Sequence, residues 1–599
     1  MCGIAGNINY QGKSSKTITS NMLHALVHRG PDGEGTWSDH YVSLGMRRLS
    51  IIDLSGGMQP LFNEDKSIVI VGNGEIYNYQ KLNKQIIKQG HKPRTGSDIE
   101  TIIHLYEEYG VDCVEKLEGM FAFALYDLKS KTVFLARDRM GEKPLYYSSS
   151  KDQFLFASEL KAIVKEAPHW ELDPDAINQY FHYYFVPEPK TLFPNIHKLP
   201  AGHLCLINLK TSKYQLKKYW DPSSIVANRK GDSVKIIKSL FKNATKSTLV
   251  ADVDVAVSLS GGLDSSAILS SAAAMYPKNM KAFTIGYEGT PSSDERALAK
   301  VLTDQYGVKH IQAELKIKDV VNHFPDLVYD GDDPIADIAG HGIYSVAKLA
   351  RDHGLKVLLG GLGGDELFWG YPWVRQITRD NYVNQPSFHF YDKITPYKNA
   401  NSFIFKLLTQ EFKQQTTNNY SYTSFQPKSK LKTKADFGRA SQNLIRDYWL
   451  ISNCIAYNDR LSMAASVELR SPLLNHRLVE AAYTLKDNVL SFEKDEGKYY
   501  FKQAIKSLLP SIIYNAPKRG FQPPVFLWLL KLIARYISLL SGGYLTTHNI
   551  LNSSKIRLLK STWIIYPTRW IAIYQLIVLE IWCREYILNQ TPESIRHAK

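Results

Sequence analysis

Three groups of residues in this 599-residue chain have types and spacings that could do chemistry. Cys2 is the first. Once the initiating methionine is removed, thiol and α-amine sit on one residue, and an amine with a pKa of about 7.7–8.0 can take the thiol proton near neutrality. The second is Asn73-Gly74-Glu75, where a carboxamide and the accessible N–H of a glycine could donate to a developing oxyanion. The third is Ser260-Gly261-Gly262-Leu263-Asp264-Ser265-Ser266, which follows the β-branched run 253–259 and precedes small helix formers. Strand, glycine-rich turn and helix in succession aim backbone N–H groups and the positive end of a helix dipole at an anion, which makes a phosphate cradle. The lysine of a Walker loop is missing, so γ-phosphoryl transfer is not the expected chemistry. A second glycine-rich turn, residues 360–371, follows the apolar strand 356–359, and two such turns can converge at the carboxyl edge of a parallel sheet. Asp264 and Asp365 then become a natural pair of hard oxygen ligands for Mg²⁺ on bound phosphates.

The elements that must position these groups change style along the chain. Up to about residue 200 the pattern is short strands and turns: residues 67–78 predict a strand running into an Asn-Gly turn, and residues 120–138 predict two strands around a polar turn. Residues 97–109 have helical spacing, so this half reads as α+β. Residues 199–224 read as a last hairpin and a polar connector, with the boundary near 210–230. Beyond it a helix at 234–250, strands at 253–259 and 281–287 and a helix at 265–275 alternate, which predicts a parallel doubly wound sheet. From about 430 the chain reads as mostly helical, and residues 399–433 are polar enough for a loose loop.

Composition narrows the class. A hydrophobic share of 44% with 22% charged residues is globular and excludes a disordered or fibrous chain. The net charge of +15 is diffuse, without dense arginine runs or aromatic RNA-binding signatures, so no nucleic-acid partner is expected. Five scattered cysteines fit a reducing cytoplasm better than a secreted disulfide scaffold. The apolar run 570–579 is interrupted by Gln575 and closed by Glu580, which predicts a buried helix and no membrane span.

The surroundings of Cys2 add a family reading. His28-Arg29-Gly30-Pro31-Asp32, Arg48-Leu49-Ser50-Ile51-Ile52-Asp53, Asn73-Gly74-Glu75 and Thr95-Gly96-Ser97-Asp98 stand in the order of the class II glutamine amidotransferases, which the first 200 residues resemble. That resemblance implies an N-terminal-nucleophile fold of stacked antiparallel sheets. Cys2 would attack the glutamine amide, Asn73 and Gly74 would hold the oxyanion, and Arg48, Leu49, Ser50, Ile51, Ile52, Glu75 and Asp98 would bind glutamine, the guanidinium suiting its carboxylate and the acids its ammonium.

SGGLDSS resembles the PP-loop of ATP pyrophosphatases, and with Asp459-Arg460-Leu461, residues 467–474 and Lys518-Arg519-Gly520-Phe521 the pattern is similar to the asparagine synthetase family over residues 2–530. The resemblance implies a glutaminase domain at 2–210 and a PP-loop domain with added helices at 230–599. Leu259, Ser260, Gly261, Gly262, Asp264, Ser265, Ser266, Ile285, Gly360 and Gly361 would bind ATP, with Mg²⁺ on Asp264 and Asp365, and Lys518 would reach the phosphates. Ammonia would pass through a tunnel to a carboxylate activated as an acyl-AMP, aspartate being the expected acceptor; a homodimer is a further implication. The match departs at Leu362, where a glutamate is usual, and at Asn475, where an aspartate is usual. Asp332, Asp333, Asp337 and Glu366 are candidates to supply the missing acid. A uronic acid or other carboxylate as acceptor, and a non-catalytic binder of ATP or glutamine, are the alternatives.

Overall fold

The computed structural model describes residues 2–166, 171–225, 231–276, 279–288, 294–384, 398–416, 431–517 and 523–598. The strand-rich half builds two six-stranded antiparallel sheets. In the first, Cys2–Asn9 lies between Val42–Arg48 and Gln153–Ala157; in the second, Ile68–Ile76 lies beside Gly119–Asp127, which continues to Thr132–Arg137. Side chains alternate along a strand, so one face of each sheet can be wholly apolar. Cys2, Ile4 and Ile8 share a face of the first sheet, Val69 and Val71 share a face of the second, and these faces pack together with Val42, Leu44, Met46, Ala122 and Ala124. The same alternation carries Asn73 onto the inner face two residues after Val71, opposite Cys2. The outer faces are covered by helices: Lys16–His24 supplies Met22 and Leu23 over Ala5, while Tyr79–Lys88 and Glu100–Tyr109 supply Leu82, Ile86, Ile102 and Ile103 over Ile70, Phe121 and Phe123. Each such fully buried side chain stabilises the fold by about 1.5–3 kcal/mol.

The second half builds a five-stranded sheet, parallel throughout, ordered Lys309–Leu315, Lys281–Tyr287, Val255–Ser258, Val357–Leu359 and Glu468–Arg470. Val255 and Val257 face one helical layer and Ala256, Phe283 and Leu358 the other, so the central strands are buried on both sides. Helix Leu263–Ala273 follows the first glycine-rich turn and Gly364–Leu367 the second. Residues 445–455 form a π-helical segment leading into helix Ala456–Ala464.

Several sequence expectations change. Asn73-Gly74-Glu75 is not a turn: strand Ile68–Ile76 runs through it, paired residue for residue with Gly119–Asp127. The polar stretch 399–433 contains helices Lys398–Leu407 and Gln410–Gln415, with residues 417–430 outside the described residues. The apolar run near 570 is, as expected, a buried helix, Trp570–Tyr586, covered along nearly its whole length. It packs on the first half of the chain, where the Tyr180 hydroxyl donates to the Gln575 carbonyl at 2.8 Å and Gln575 Nε2 to the Tyr180 carbonyl at 2.6 Å. Among the described residues one stretch, Val525–Thr547, is long and apolar enough to cross a membrane. Its most apolar part is 44% buried, with Trp528, Leu529, Leu532 and Ile533 in the same core as Trp570–Tyr586.

Candidate active site

Cys2 begins the strand that pairs with Val42–Arg48, directly opposite Arg48, and its N–H donates to Asn73 Oδ1 at 2.9 Å. Asn73 is fully buried, and with its carbonyl oxygen committed to Cys2, its Nδ2 has no hydrogen-bond partner in the structure. A buried amide donor left open costs roughly 1–3 kcal/mol unless something else accepts from it, so an acceptor beside Cys2 is favoured there. Gly74 follows at φ +140°, and a Cβ there would lie 2.0 Å from the Met120 carbonyl oxygen, so only glycine lets this strand keep its pairing. Burial pushes the Cys2 thiol up, while the Leu49 N–H and the Arg48 guanidinium draw it back down.

Arg48 is 5% exposed and donates to the carbonyls of Ile52 at 3.2 Å, Asp53 at 2.5 Å and Leu54 at 3.4 Å, so its guanidinium organises the loop that follows it. Leu49, Ile51 and Ile52 pack into the core of the parallel-sheet half, and the Ser50 N–H donates to Asp32, which also pairs with Lys356 at 2.7 Å. Asp98 accepts the Ile76 N–H at 2.7 Å; burial is the main cause that raises its carboxyl to about 6. Burial and Glu468 also raise Glu75 well above the ordinary carboxylate range.

Two motifs from opposite halves meet beneath Cys2. Arg29 is wholly buried, donating to the Cys2 carbonyl at 3.2 Å, to Glu159 at 2.8 Å and to Asp459 at 2.9 Å. Lys143 reaches the other oxygen of Asp459 at 3.1 Å. Arg470, from the edge strand of the parallel sheet, lies 3.5 Å from Glu75 and pairs with Glu468 at 2.5 Å, while its backbone carbonyl accepts the Gly360 N–H at 2.8 Å. One residue therefore touches both halves' candidate sites.

At the carboxyl edge of the parallel sheet the two glycine-rich turns enclose a cavity of about 710 Å³. Leu259, Ser260, Gly261, Gly262, Asp264, Ser265, Ile285, Gly360, Gly361 and Asp365 all line it. Ser266 does not: it is fully buried behind the turn, its N–H bonded to the Gly262 carbonyl. Lys518 lies outside the described residues. Gly364 lets the turns approach, because a Cβ there would come within 2.5 Å of the Asp264 carboxyl carbon. The residue that sequence reasoning missed is Lys498, whose ammonium bridges Asp264 and, at 2.9 Å, Asp365. It stands before helix Tyr499–Ile505 at φ +58°, a left-handed conformation costly for a side chain of this size, which marks it as held by its surroundings. No local pattern in the sequence marks it, because its partners lie 234 and 133 residues away. Two convergent carboxylates offer the hard oxygens that Mg²⁺ takes, so the donor set fits the cation once Lys498 yields or shares the site.

The acid candidates sort by place. Asp332 accepts the Leu160 and Lys161 N–H groups, and Asp333 pairs with Lys198 at 2.9 Å and Arg460 at 2.9 Å, so both are tied up away from the cavity. Asp337 and Glu366 line it beside Leu362. Glu366 accepts the Tyr371 hydroxyl at 2.7 Å, and burial together with Asp365 raises its carboxyl to about 7. Asn475 caps helix His476–Thr484 through the Arg477 N–H at 3.1 Å, a role an asparagine fills as well as an aspartate.

A stacked antiparallel sandwich that begins with cysteine, joined to a parallel sheet with an SGGLDSS turn over a large cavity, defines a two-part, glutamine-dependent, ATP-using ligase. Residues 1–220 match the glutamine amidotransferase domain and residues 237–584 match asparagine synthase. Glutamine-hydrolyzing asparagine synthetase 1 of Bacillus subtilis (strain 168) is 32% identical over 562 residues, 88% of this chain and 88% of that protein. Asparagine synthetase 3 of the same organism is 31% identical over 87% of each chain, and the amidase chyE of Penicillium rubens is 28% identical over 88% of this chain and 89% of its own. The chain belongs to the glutamine-hydrolysing asparagine synthetase family.

Proposed function

We propose that the enzyme amidates aspartate to asparagine in the cytoplasm, with Cys2 as the nucleophile of a glutaminase half at residues 2–210 and the acceptor activated in a half at residues 230–599. The single observation that carries the first step is the Cys2–Asn73 pair: one side chain orients the nucleophile's nitrogen and offers a buried Nδ2 donor beside it. The thiolate attacks the glutamine carboxamide carbon, and Asn73 Nδ2 and the Gly74 N–H hold the oxyanion. Collapse expels ammonia, which takes the proton that the Cys2 α-amine drew from the thiol, and leaves a thioester that water hydrolyses to glutamate and the free thiol. Glu75 and Asp98 hold the substrate ammonium, and Arg48 with the loop it organises receives the carboxylate.

In the second half the acceptor carboxylate attacks the α-phosphorus of ATP, forming acyl-AMP and pyrophosphate. Ammonia then displaces AMP and loses a proton. The Ser260–Ser265 turn cradles phosphate, Asp264 and Asp365 would hold Mg²⁺, which screens the phosphate charge, and Lys498 with Lys518 neutralises the departing pyrophosphate. Glu366, with a carboxyl near 7, is suited to take the proton that ammonia sheds, the task a glutamate at position 362 would otherwise share. A small pocket of about 20 Å³ at the junction of the halves, lined by Tyr77 and Met140 from one and Leu474 and His476 from the other, lies where ammonia would cross.

Leu362 on the cavity wall favours a second reading, in which the acceptor is a uronic acid or another carboxylate without an α-ammonium. Purified enzyme given glutamine, ATP and a panel of acids decides between them by mass spectrometry. Asparagine formation supports the first reading; no asparagine but turnover with a uronate replaces it with the second.

A further inference from the structure

Away from both sites, two imidazoles and two carboxylates converge beside the helices that cover the second sheet. Glu64 lies in the turn between strands Leu61–Phe62 and Ile68–Ile76, His91 in the loop after helix Tyr79–Lys88, and His104 and Glu107 on helix Glu100–Tyr109. A spacing of three residues puts the last two on one helical face. One ligand atom from each of the four lies within 4.8 Å of all the others. Glu107 Oε2 is 3.0 Å from His104 Nδ1 and 3.5 Å from His91 Nδ1, and Glu64 approaches the same two nitrogens at 3.7 and 3.8 Å. A tetrahedral ion with bonds of about 2.0–2.2 Å needs ligand-to-ligand edges of roughly 3.3–3.6 Å, so small side-chain shifts close the cage.

The far side of each ligand is braced. Asn63 Nδ2 donates to Glu107 Oε1 at 2.9 Å, which leaves Oε2 facing the imidazoles, and the Lys92 N–H holds Glu64 Oε1 at 2.9 Å. His91 Nε2 meets Glu108 at 2.9 Å, and His104 Nε2 lies 3.7 Å from Glu100, whose oxygens accept the Arg94 and Thr95 N–H groups. A carboxylate behind each ligating imidazole is the arrangement that fixes its tautomer and raises its basicity toward a metal. His104 is 1% exposed, and with its Nε2 turned toward Glu100 its Nδ1 is the atom that faces the cage. Charge points the same way: four carboxylates (Glu64, Glu100, Glu107, Glu108) surround the two imidazoles and favour a cation between them.

We propose that Glu64, His91, His104 and Glu107 form a binding site for a divalent cation of the zinc class. Two imidazoles select a borderline ion over Mg²⁺ or Ca²⁺, and four protein ligands close the coordination shell, the pattern of a structural rather than a catalytic site. The ion staples three segments together. Its helix begins two residues after Asp98, so the staple steadies the acidic wall of the glutaminase site.

The full-length chain, stripped with a chelator and dialysed, is titrated with zinc sulfate against a chromophoric competitor, and with cobalt sulfate while visible absorption is recorded. The expected result is one Zn²⁺ per chain, tetrahedral cobalt bands, and a melting temperature raised by zinc but not by magnesium sulfate. His91→Ala, which alters a partly exposed loop residue, and Glu107→Gln should each weaken zinc binding by at least about tenfold. Absence of saturable one-to-one zinc binding, or zinc affinity unchanged in both variants, would overturn the proposal.

Discussion

The Arg470 guanidinium lies 3.5 Å from Glu75 across the boundary between the two halves, while the Arg470 carbonyl holds the N–H of Gly360. The proposed glutamine-binding wall and the proposed nucleotide turn therefore share one residue, by side chain on one side and by backbone on the other. Arg470→Met keeps the backbone bond and removes the guanidinium that both buried acids, Glu75 and Glu468, face. We expect kcat/KM for glutamine to fall at least about tenfold, with ammonia-dependent synthesis far less affected, because removing one member of a buried charge pair costs about 3–5 kcal/mol at the site left behind. Parallel assays with glutamine and with ammonium chloride measure the split.

Asn73→Ala removes the open Nδ2 donor beside Cys2. Losing one oxyanion donor lowers kcat by about 100- to 1000-fold, so glutaminase turnover should drop by that factor while synthesis from ammonia persists. Cys2→Ala should abolish glutamine use altogether and also spare the ammonia reaction.

Asp98 carries a prediction in pH. Its folded pKa of about 6 lies above the ordinary value of about 3.9, so the folded chain holds this proton more tightly than the unfolded one. Stability from this group is present at low pH and is lost as pH climbs from about 4 to 6, roughly 2–3 kcal/mol in all. Ionisation over the same range creates the anion that holds the substrate ammonium, so kcat/KM for glutamine should rise through pH 6. Asp98→Asn should remove that rise and melt at a higher temperature than the parent at pH 7. A variant that melts lower at pH 7 would show that the ionised carboxylate is not a cost to the fold.

Lys498→Met leaves Asp264 and Asp365 facing each other without the ammonium they share. Pyrophosphate release should fall at least about 100-fold, the scale typical for loss of one preorganised charge at a phosphate, while glutamine hydrolysis continues. Isotope exchange between pyrophosphate and ATP, set beside glutamate release, checks both.

Asp459→Ala exposes the cost of the seam. Arg29 and Lys143 would then be buried without the carboxylate they share, a loss of about 3–5 kcal/mol, read as a lower calorimetric melting temperature and faster proteolysis between the halves.

What the sequence revealed followed from local pattern. The β-branched run and the glycine spacing were enough to place the SGGLDSS turn between strand 255–258 and helix 263–273, and nine of the ten residues expected around the nucleotide line one cavity. The tenth, Ser266, fell behind the turn because a helical residue's direction depends on where the helix starts, which composition does not fix. Asn73-Gly74-Glu75 resembled a turn because Asn-Gly is a turn signal, but pairing with Gly119–Asp127 across the sheet overrode it. Lys498, Arg470 and the Arg29–Asp459 pair act through contacts between segments separated by as many as 430 residues, and no local pattern encodes such distances.

The central claim, that nitrogen released beside Cys2 is used at an adenylylated acid in the other half, is tested most directly by supplying glutamine labelled with ¹⁵N in the amide together with ATP, aspartate and excess unlabelled ammonium. The expected result is ¹⁵N in the new amide of asparagine, one AMP and one pyrophosphate per amide formed, and label incorporation above the fraction that mixing with bulk ammonium would give. Product amide carrying only bulk nitrogen, or glutamine hydrolysis with no AMP formed, would contradict it.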